Sequence, residues 1–136
     1  MTGMILVGHS YGGMVITGVA DRLSALIDRM VYIDAALPDS GQSLFDLFRA
    51  GGSDPLSFEG LAPYPSYVEK LIFNPWILAT IPNVYLRCTR SVFAAIGLMA
   101  RDRILSRLDE DRWGYFEIPS DHTPMQSMPG QLLEFL

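Results

Sequence analysis

The sequence predicts an α/β protein with about four mostly parallel β-strands that are flanked by helices. Short apolar runs typical of buried strands alternate along the chain with segments of helical periodicity. The first apolar run also leads directly into a helical segment through residues 8–12, Gly-His-Ser-Tyr-Gly. This alternating order favours a parallel sheet with helices on its faces, formed as a single domain by residues 1–136.

The first half of the chain begins with two strands and two helices. Residues 4–7 form an apolar run of strand type, and residues 12–27 carry apolar side chains at helical spacing. A second buried strand is predicted at residues 30–34. A short amphipathic helix is predicted at residues 43–49, where two glycines follow.

Residues 41–82 interrupt this order. From residue 53 to residue 82 the chain contains five prolines and many aromatic residues, with one helical piece predicted at residues 67–73. This composition does not fit a further strand of the sheet. The segment is therefore predicted to leave the sheet and return to it.

The remainder of the chain resumes the alternation. Strands are predicted at residues 84–88 and 115–118, and helical stretches between them at residues 92–100 and 104–109. A final helix is predicted at residues 129–136, with a proline in its first turn.

Residues 8–12 have the G-x-S-x-G pattern of a nucleophile elbow, which is a tight turn between a strand and a helix. Gly8 and Gly12 are expected to give the strained turn room. Ser10 would then project from the carboxyl edge of the sheet, and the N–H of Tyr11 would point at a developing oxyanion. The alternative is an ordinary glycine-rich turn, but both flanking segments are of the type that an elbow needs.

A second polar group, Ser120-Asp121-His122, follows the last predicted strand. Because the carboxyl ends of parallel strands meet at one edge of a sheet, Ser10 and His122 are expected to lie there together. His9 competes as a base, but a residue next to Ser10 on a sharp turn is expected to point elsewhere. His122 is therefore predicted to be the general base, and the alternative is a loop histidine bonded to backbone.

Together these motifs resemble the α/β-hydrolases, in the branch that contains plant-type methyl esterases, hydroxynitrile lyases and their bacterial esterase relatives. The matching stretches follow the family's order and are residues 6–13, 31–38, 41–44 and 120–122, with Met125. The resemblance implies a partial α/β-hydrolase fold, from the elbow onward. It also implies that residues 41–82 form a small cap, whose apolar side chains line an acyl or alcohol pocket; ordinary core packing is the alternative for each of them.

The catalytic acid departs from the family's pattern. An aspartate usually follows the third of these strands, where this chain has Cys-Thr-Arg-Ser with Ser91 at the acid position. A serine cannot carry the negative charge that steadies an imidazolium. Asp34, at the end of the strand after the elbow helix, is predicted to replace it, because triads are defined by geometry. Its alternative role is a local cap of the strand end, and Asp121 and Asp102 are weaker candidates.

The predicted activity is hydrolysis of carboxylic esters with small to medium acyl groups through an acyl-enzyme. Ser10 attacks, His122 moves the proton, Asp34 orients His122, and the Tyr11 N–H holds the oxyanion. One alternative is a hydroxynitrile lyase, which needs a lysine near the pocket, and Lys70 is the single lysine of the chain. The others are a pseudo-hydrolase that binds a small molecule without turnover and a truncated fragment.

The predicted partner is a small-molecule ester, and composition and charge argue against other classes of partner. A net charge of −5 without a basic run argues against nucleic acid and anionic membranes. The single Cys88, the lack of a membrane-length apolar stretch and the lack of a signal peptide predict a cytoplasmic location. No metal or organic cofactor is predicted, since no cluster has metal-ligand spacing. The strand from Met4 to Val7 is expected to be an apolar edge. Two explanations stay open: the chain is the carboxyl half of a longer hydrolase, or the edge pairs with its copy in a homodimer.

Overall fold

The sheet has four parallel strands that lie in chain order. A computed structural model describes residues 3–106 and 112–136. The strands are β1 (Met4–His9), β2 (Ile27–Ile33), β3 (Asn83–Cys88) and β4 (Trp113–Ile118), and each neighbouring pair is parallel. The predicted α/β class with four parallel strands is therefore confirmed. Asp34 falls directly after β2, one position beyond the strand.

Helices connect the strands and pack on both faces of the sheet. Within the described residues they are α1 (Gly12–Leu23), α2 (Leu44–Ala50), α3 (Pro65–Val68), α4 (Pro75–Ala79), α5 (Ala94–Leu105), α6 (Pro124–Ser127) and α7 (Pro129–Leu133). No helix in this part of the chain is long and apolar enough to cross a membrane.

Two helix predictions in the first half are wrong. The helix predicted at residues 12–27 ends at Leu23, because a 3₁₀ turn follows it and Ile27 already pairs with Met4 as the first residue of β2. The helix predicted at residues 67–73 is instead α3, which begins at Pro65. It ends early because Leu71 exchanges backbone hydrogen bonds with Gly41 and Gln42 in an isolated antiparallel bridge.

Helix boundaries in the second half differ as well. A single helix, α5, replaces the two stretches predicted at residues 92–100 and 104–109. The charged residues 101–103 continue the helix, with Arg101 bonded to Asp102 on its surface. Residues 107–109 lie outside the described residues. The final helix ends at Leu133, and α6 was not predicted.

The alternating side chains of the strands bury both faces of the sheet. On one face Met30, Tyr32 and Tyr85 pack with residues of α1, α4 and α5. On the other face Val31 and Leu86 belong to a cluster that α7 covers. A parallel sheet buried on both faces needs apolar residues at successive positions, which is why β2 reads as a nearly continuous apolar run.

β1 is an edge strand in this structure, as predicted. Met4, Ile5 and Val7 are 41–52% exposed, and β1 pairs on one side only, with β2. An uncovered strand edge carrying apolar side chains can pair with another strand. The homodimer through this strand stays a prediction.

The turn between β1 and α1 depends on close backbone packing at two glycines. A Cβ atom at Gly8 would lie 2.7 Å from the carbonyl oxygen of Gly12, and one at Gly13 would overlap the carbonyl oxygen of Ala36. A Cβ at Gly12 would meet no atom within 4 Å. The expectation of a space-giving glycine is thus confirmed at Gly8 and wrong at Gly12, and Gly13 is the crowded position instead.

We expect Gly13→Ala to destabilise the protein strongly, because the backbone of Ala36 would have to move away from α1. Overpacking of this kind costs about 1–3 kcal/mol or more. The matched variant Gly12→Ala should change the free energy of unfolding by less than about 1 kcal/mol, and toward stability, since alanine favours a helix. Urea denaturation of both variants measures the difference. Equal changes in the free energy of unfolding for the two variants would contradict the close contact between Gly13 and Ala36.

Candidate active site

Ser10 occupies a strained turn at the carboxyl end of β1. Its φ of 59° lies in the left-handed region, which residues with a side chain rarely adopt. The turn is held by the Ser10 carbonyl, which accepts hydrogen bonds from the N–H of Gly13 at 3.2 Å and of Ala36 at 3.0 Å. Such strain at the residue between a strand and a helix is typical of a nucleophile elbow.

Asp34 has the second left-handed backbone among the described non-glycine residues, with a φ of 42°. The residue is 4% exposed. Its Oδ1 accepts from the N–H of Cys88 at 3.3 Å, and its Oδ2 lies 2.6 Å from Nδ1 of His122. A buried carboxylate needs partners of this kind, and here one oxygen is bonded to β3 and the other to the histidine.

His122 lies in the loop between β4 and α6, with its ring enclosed on three sides. Asp34 faces Nδ1, the ring of Phe93 packs edge-on with centroids 4.5 Å apart, and the ring of His9 lies at 4.6 Å. Because an ionised carboxylate only accepts hydrogen bonds, a neutral imidazole in this position carries its hydrogen on Nδ1 and keeps its lone pair on Nε2. Ser10 and His122 line the same cavity, and no hydrogen bond joins their side chains.

Two titratable groups near Asp34, the thiol of Cys88 and the hydroxyl of Tyr85, are held neutral. Burial, together with the charge of Asp34, raises the pKa of the Cys88 thiol to about 12. Burial also raises the pKa of Tyr85 well above its ordinary value, and the Tyr85 hydroxyl donates to the carbonyl of Ala35 at 2.6 Å. A neutral thiol with so high a pKa is a poor nucleophile, so Cys88 does not compete with Ser10.

His9 does not point away from the site, contrary to the expectation. Its Nε2 lies 2.6 Å from the main-chain carbonyl oxygen of His122. Because this nitrogen is bonded to a carbonyl, it carries a hydrogen and has no free lone pair. Of the two histidines, His122 is the one that has a carboxylate on one nitrogen and an available lone pair on the other. Nothing in the sequence indicated the contact between the two histidines.

Tyr11 connects the turn to the segment 41–82. Its hydroxyl donates to the carbonyl of Ser66 at 3.0 Å, and its ring lies 5.2 Å from that of Tyr67. The N–H of Tyr11 has no hydrogen-bond partner among the described residues. A free backbone N–H at the beginning of a helix is suited to stabilise negative charge.

The cavity that Ser10 and His122 share has a volume of about 60 Å³. Apolar side chains from residues 41–82, from α5 and from the position just before α5 form much of its wall; they are Leu44, Phe48, Leu61, Tyr67, Ile96 and Phe93. A second cavity of about 250 Å³ lies between Phe73, Arg103 and Trp113 and contains none of the predicted site residues. No group of three or more histidine, cysteine or acidic side chains in the described ranges could hold a metal ion.

The other candidate residues lie outside this arrangement. Ser91, at the position where the resemblance led us to expect an acid, accepts a hydrogen bond from the N–H of Phe93 and caps that turn. Asp121 bonds Thr123 in its own loop and Ser127 at the end of α6, and Asp102 pairs with Arg101. Among the described carboxylates, Asp34 is therefore the one bonded to His122.

Lys70 gives no support to the hydroxynitrile lyase alternative. Its Nζ pairs with Asp46 Oδ2 at 2.8 Å, the lysine side chain is 63% exposed, and it does not line the cavity. The hydrogen bond from Lys70 is the main reason that the pKa of Asp46 falls to about 2. Lys70 thus stabilises the beginning of α2, where Ser43 and Asp46 cap the helix.

Comparison with protein families and curated proteins found one informative relative. No family model matches the chain. A carbendazim-hydrolysing esterase of Nocardioides sp. is 64% identical over 44 residues, which are 32% of this chain and 18% of that protein. The matched stretch thus spans less than a fifth of the curated relative.

Solved structures match almost the whole chain. An extracellular α/β-hydrolase from a Paenibacillus species gives a TM-score of 0.72 at 24% identity, covering 98% of this chain and 70% of the other. A pyrethroid hydrolase from Sphingobium faniae gives 0.65 at 18% identity, covering 99% and 69%. A methylesterase from Arabidopsis gives 0.59 at 21% identity, covering 98% and 67%. Together with the four parallel strands and the turn after β1, these matches show that the chain has a partial α/β-hydrolase fold.

Proposed function

We propose that the chain hydrolyses carboxylic esters, with Ser10 as the nucleophile, His122 as the general base and Asp34 as the residue that orients it. The observation that carries the proposal is the 2.6 Å contact between Asp34 and His122 at the wall of the cavity that Ser10 lines. A buried carboxylate on Nδ1 leaves Nε2 free to take a proton. The names of the compared proteins, which include an esterase and several hydrolases, support the same reaction class.

In the proposed reaction, Ser10 Oγ forms a bond to the ester carbonyl carbon while His122 Nε2 takes the hydroxyl proton. The N–H of Tyr11 donates to the oxyanion of the tetrahedral intermediate. His122 then gives the proton to the leaving alcohol, the carbon–oxygen bond to that alcohol breaks, and an acyl-Ser10 remains. A water molecule activated by His122 releases the acid by the same steps. Asp34 stays ionised and stabilises the imidazolium that forms.

The cavity supports esters with small to medium acyl groups. Apart from Ser10, Asp34 and His122 its walls are largely apolar, and its volume is about 60 Å³, which favours a compact uncharged group beside Ser10. Residues 41–82 act as a cap in this proposal, because they contribute Leu44, Phe48, Leu61 and Tyr67 to the wall. The contact between Tyr11 and Ser66 holds this cap against the turn that bears Ser10.

Ser10→Ala should lower the hydrolysis of p-nitrophenyl acetate and p-nitrophenyl butyrate at least about 1000-fold, because no other hydroxyl can replace the nucleophile. The control is Ser57→Ala, since Ser57 lies outside the cavity and bonds the carbonyl of Asp54. The control should keep the wild-type rate. Equal background rates of the wild type and Ser10→Ala would contradict the proposal and favour a pseudo-hydrolase or an inactive fragment.

Asp34→Asn should lower kcat by up to about 10⁴-fold while the protein stays folded. An asparagine can still accept the hydrogen bond from Cys88, but its amide N–H would face Nδ1 of His122 and favour the wrong tautomer. Asp102→Asn is the matched control, because Asp102 pairs with Arg101 on the surface of α5. Steady-state kinetics and thermal melting measure both effects. Near-normal turnover of Asp34→Asn would exclude this acid.

A further inference from the structure

His9 joins the strand before Ser10 to the loop that carries His122. Its Nε2–H donates to the carbonyl oxygen of His122 at 2.6 Å, across 113 positions of sequence. The two rings also pack together, with centroids 4.6 Å apart and planes inclined by 35°. One side chain therefore contacts both the backbone and the ring of the proposed base.

We propose that His9 is a positioning residue, which sets where the His122 imidazole stands relative to Ser10. Its catalytic consequence rests on the proposed function, in which His122 takes the proton of Ser10. His9 does not touch the reacting atoms in this proposal. It acts through the backbone carbonyl and the ring of His122.

The topology of the sheet explains why His122 needs such a contact. The strands lie in the order β1, β2, β3, β4, so the loop after β4 starts from the edge opposite to the strand that leads to Ser10. Neighbouring strands are about 4.8 Å apart, which places β1 and β4 about 14 Å from each other. The loop must therefore cross the ends of β2 and β3 before His122 can reach the cavity.

His122 has one contact near the end of each of the other three strands. Asp34 follows β2 and holds Nδ1, and Phe93 follows β3 and packs against the ring. His9 ends β1 and holds the backbone. Asp34 and Phe93 fix the ring on the side of β2 and β3. The contact with His9 is the one that ties the loop to the same strand as Ser10, and it therefore controls the distance between the base and the nucleophile.

The His9 end of this contact is itself rigid. His9 is paired with Ile33 in the sheet. The next residue, Ser10, is held through its carbonyl by Gly13 and Ala36. By contrast, among the described residues the loop that carries His122 is bonded to the chain after β3 only at Ser120, whose carbonyl accepts from the N–H of Arg90. Apart from the contacts of His122 itself, the rest of the loop bonds within itself or to α6, as in the bond from the N–H of Thr123 to Asp121. Because the donor, His9, is held in the sheet and the acceptor lies in a loop, this single hydrogen bond can set the position of His122.

The test compares His9→Gln with His9→Met, two unbranched side chains of similar length. Glutamine keeps an N–H donor near the position of Nε2, and methionine removes it. We expect His9→Met to lower kcat for p-nitrophenyl butyrate about 10-fold, with KM within about twofold of the wild type, because a small misplacement of a catalytic group slows the chemical step. His9→Gln should recover kcat to within about threefold of the wild type. If His9→Met does not fold, His9→Phe takes its place, since it also lacks the donor and keeps a ring against His122.

A second readout does not depend on turnover. In ¹⁵N–¹H spectra of the imidazole groups, we expect the Nδ1 proton of His122 to be sharp and shifted downfield in the wild type and in His9→Gln, and broadened in His9→Met. Unchanged kcat and an unchanged His122 signal in His9→Met would overturn the proposal, as would equal losses in the two variants. If the wild type hydrolyses no ester, the proposed function fails, and the His122 signal still decides the role of His9.

Discussion

The site depends on direct backbone packing between the turn after β1 and the chain that leaves β2. Gly13 lies so close to the carbonyl of Ala36 that no Cβ atom fits between them, and the N–H of Ala36 donates to the carbonyl of Ser10. This contact brings together the left-handed residues Ser10 and Asp34. Strained backbone persists only where the surrounding structure holds it in place, and here each turn supports the other.

The parallel sheet explains how residues far apart in sequence meet at one cavity. Every strand has its carboxyl end at the same edge, so Ser10, Asp34, Phe93 and His122 come from the ends of four successive strands. Because of this shared edge, the acid of the proposed triad can follow either β2 or β3. A carboxylate after β2 reaches Nδ1 of His122 at 2.6 Å, so in the proposed triad it takes the place of an acid after β3, where Ser91 caps a turn.

The features that could be predicted from the sequence depend on neighbouring residues or on the order of the strands. The four strands, the turn at Ser10 and the meeting of Asp34 with His122 follow from apolar runs and from the shared edge of a parallel sheet. The features that were missed depend on contacts between distant segments. Gly13 is crowded by Ala36 and not by its own turn, and the bridge between Gln42 and Leu71 ends α3 early. The contact of His9 with His122 also has no local signal, because a loop after β4 decides where that side chain finds a partner.

The proposed function requires Ser10 to be an activated nucleophile in this chain. The first experiment is reaction with a fluorophosphonate, followed by intact-mass measurement and peptide mapping. The probe labels only an activated serine, and the experiment can be done without knowing the substrate. We expect one adduct per folded chain on the peptide that contains Ser10, none in Ser10→Ala, and a strongly reduced labelling rate in His122→Ala. A folded wild-type protein that stays unlabelled, or an adduct on a different residue, would contradict it.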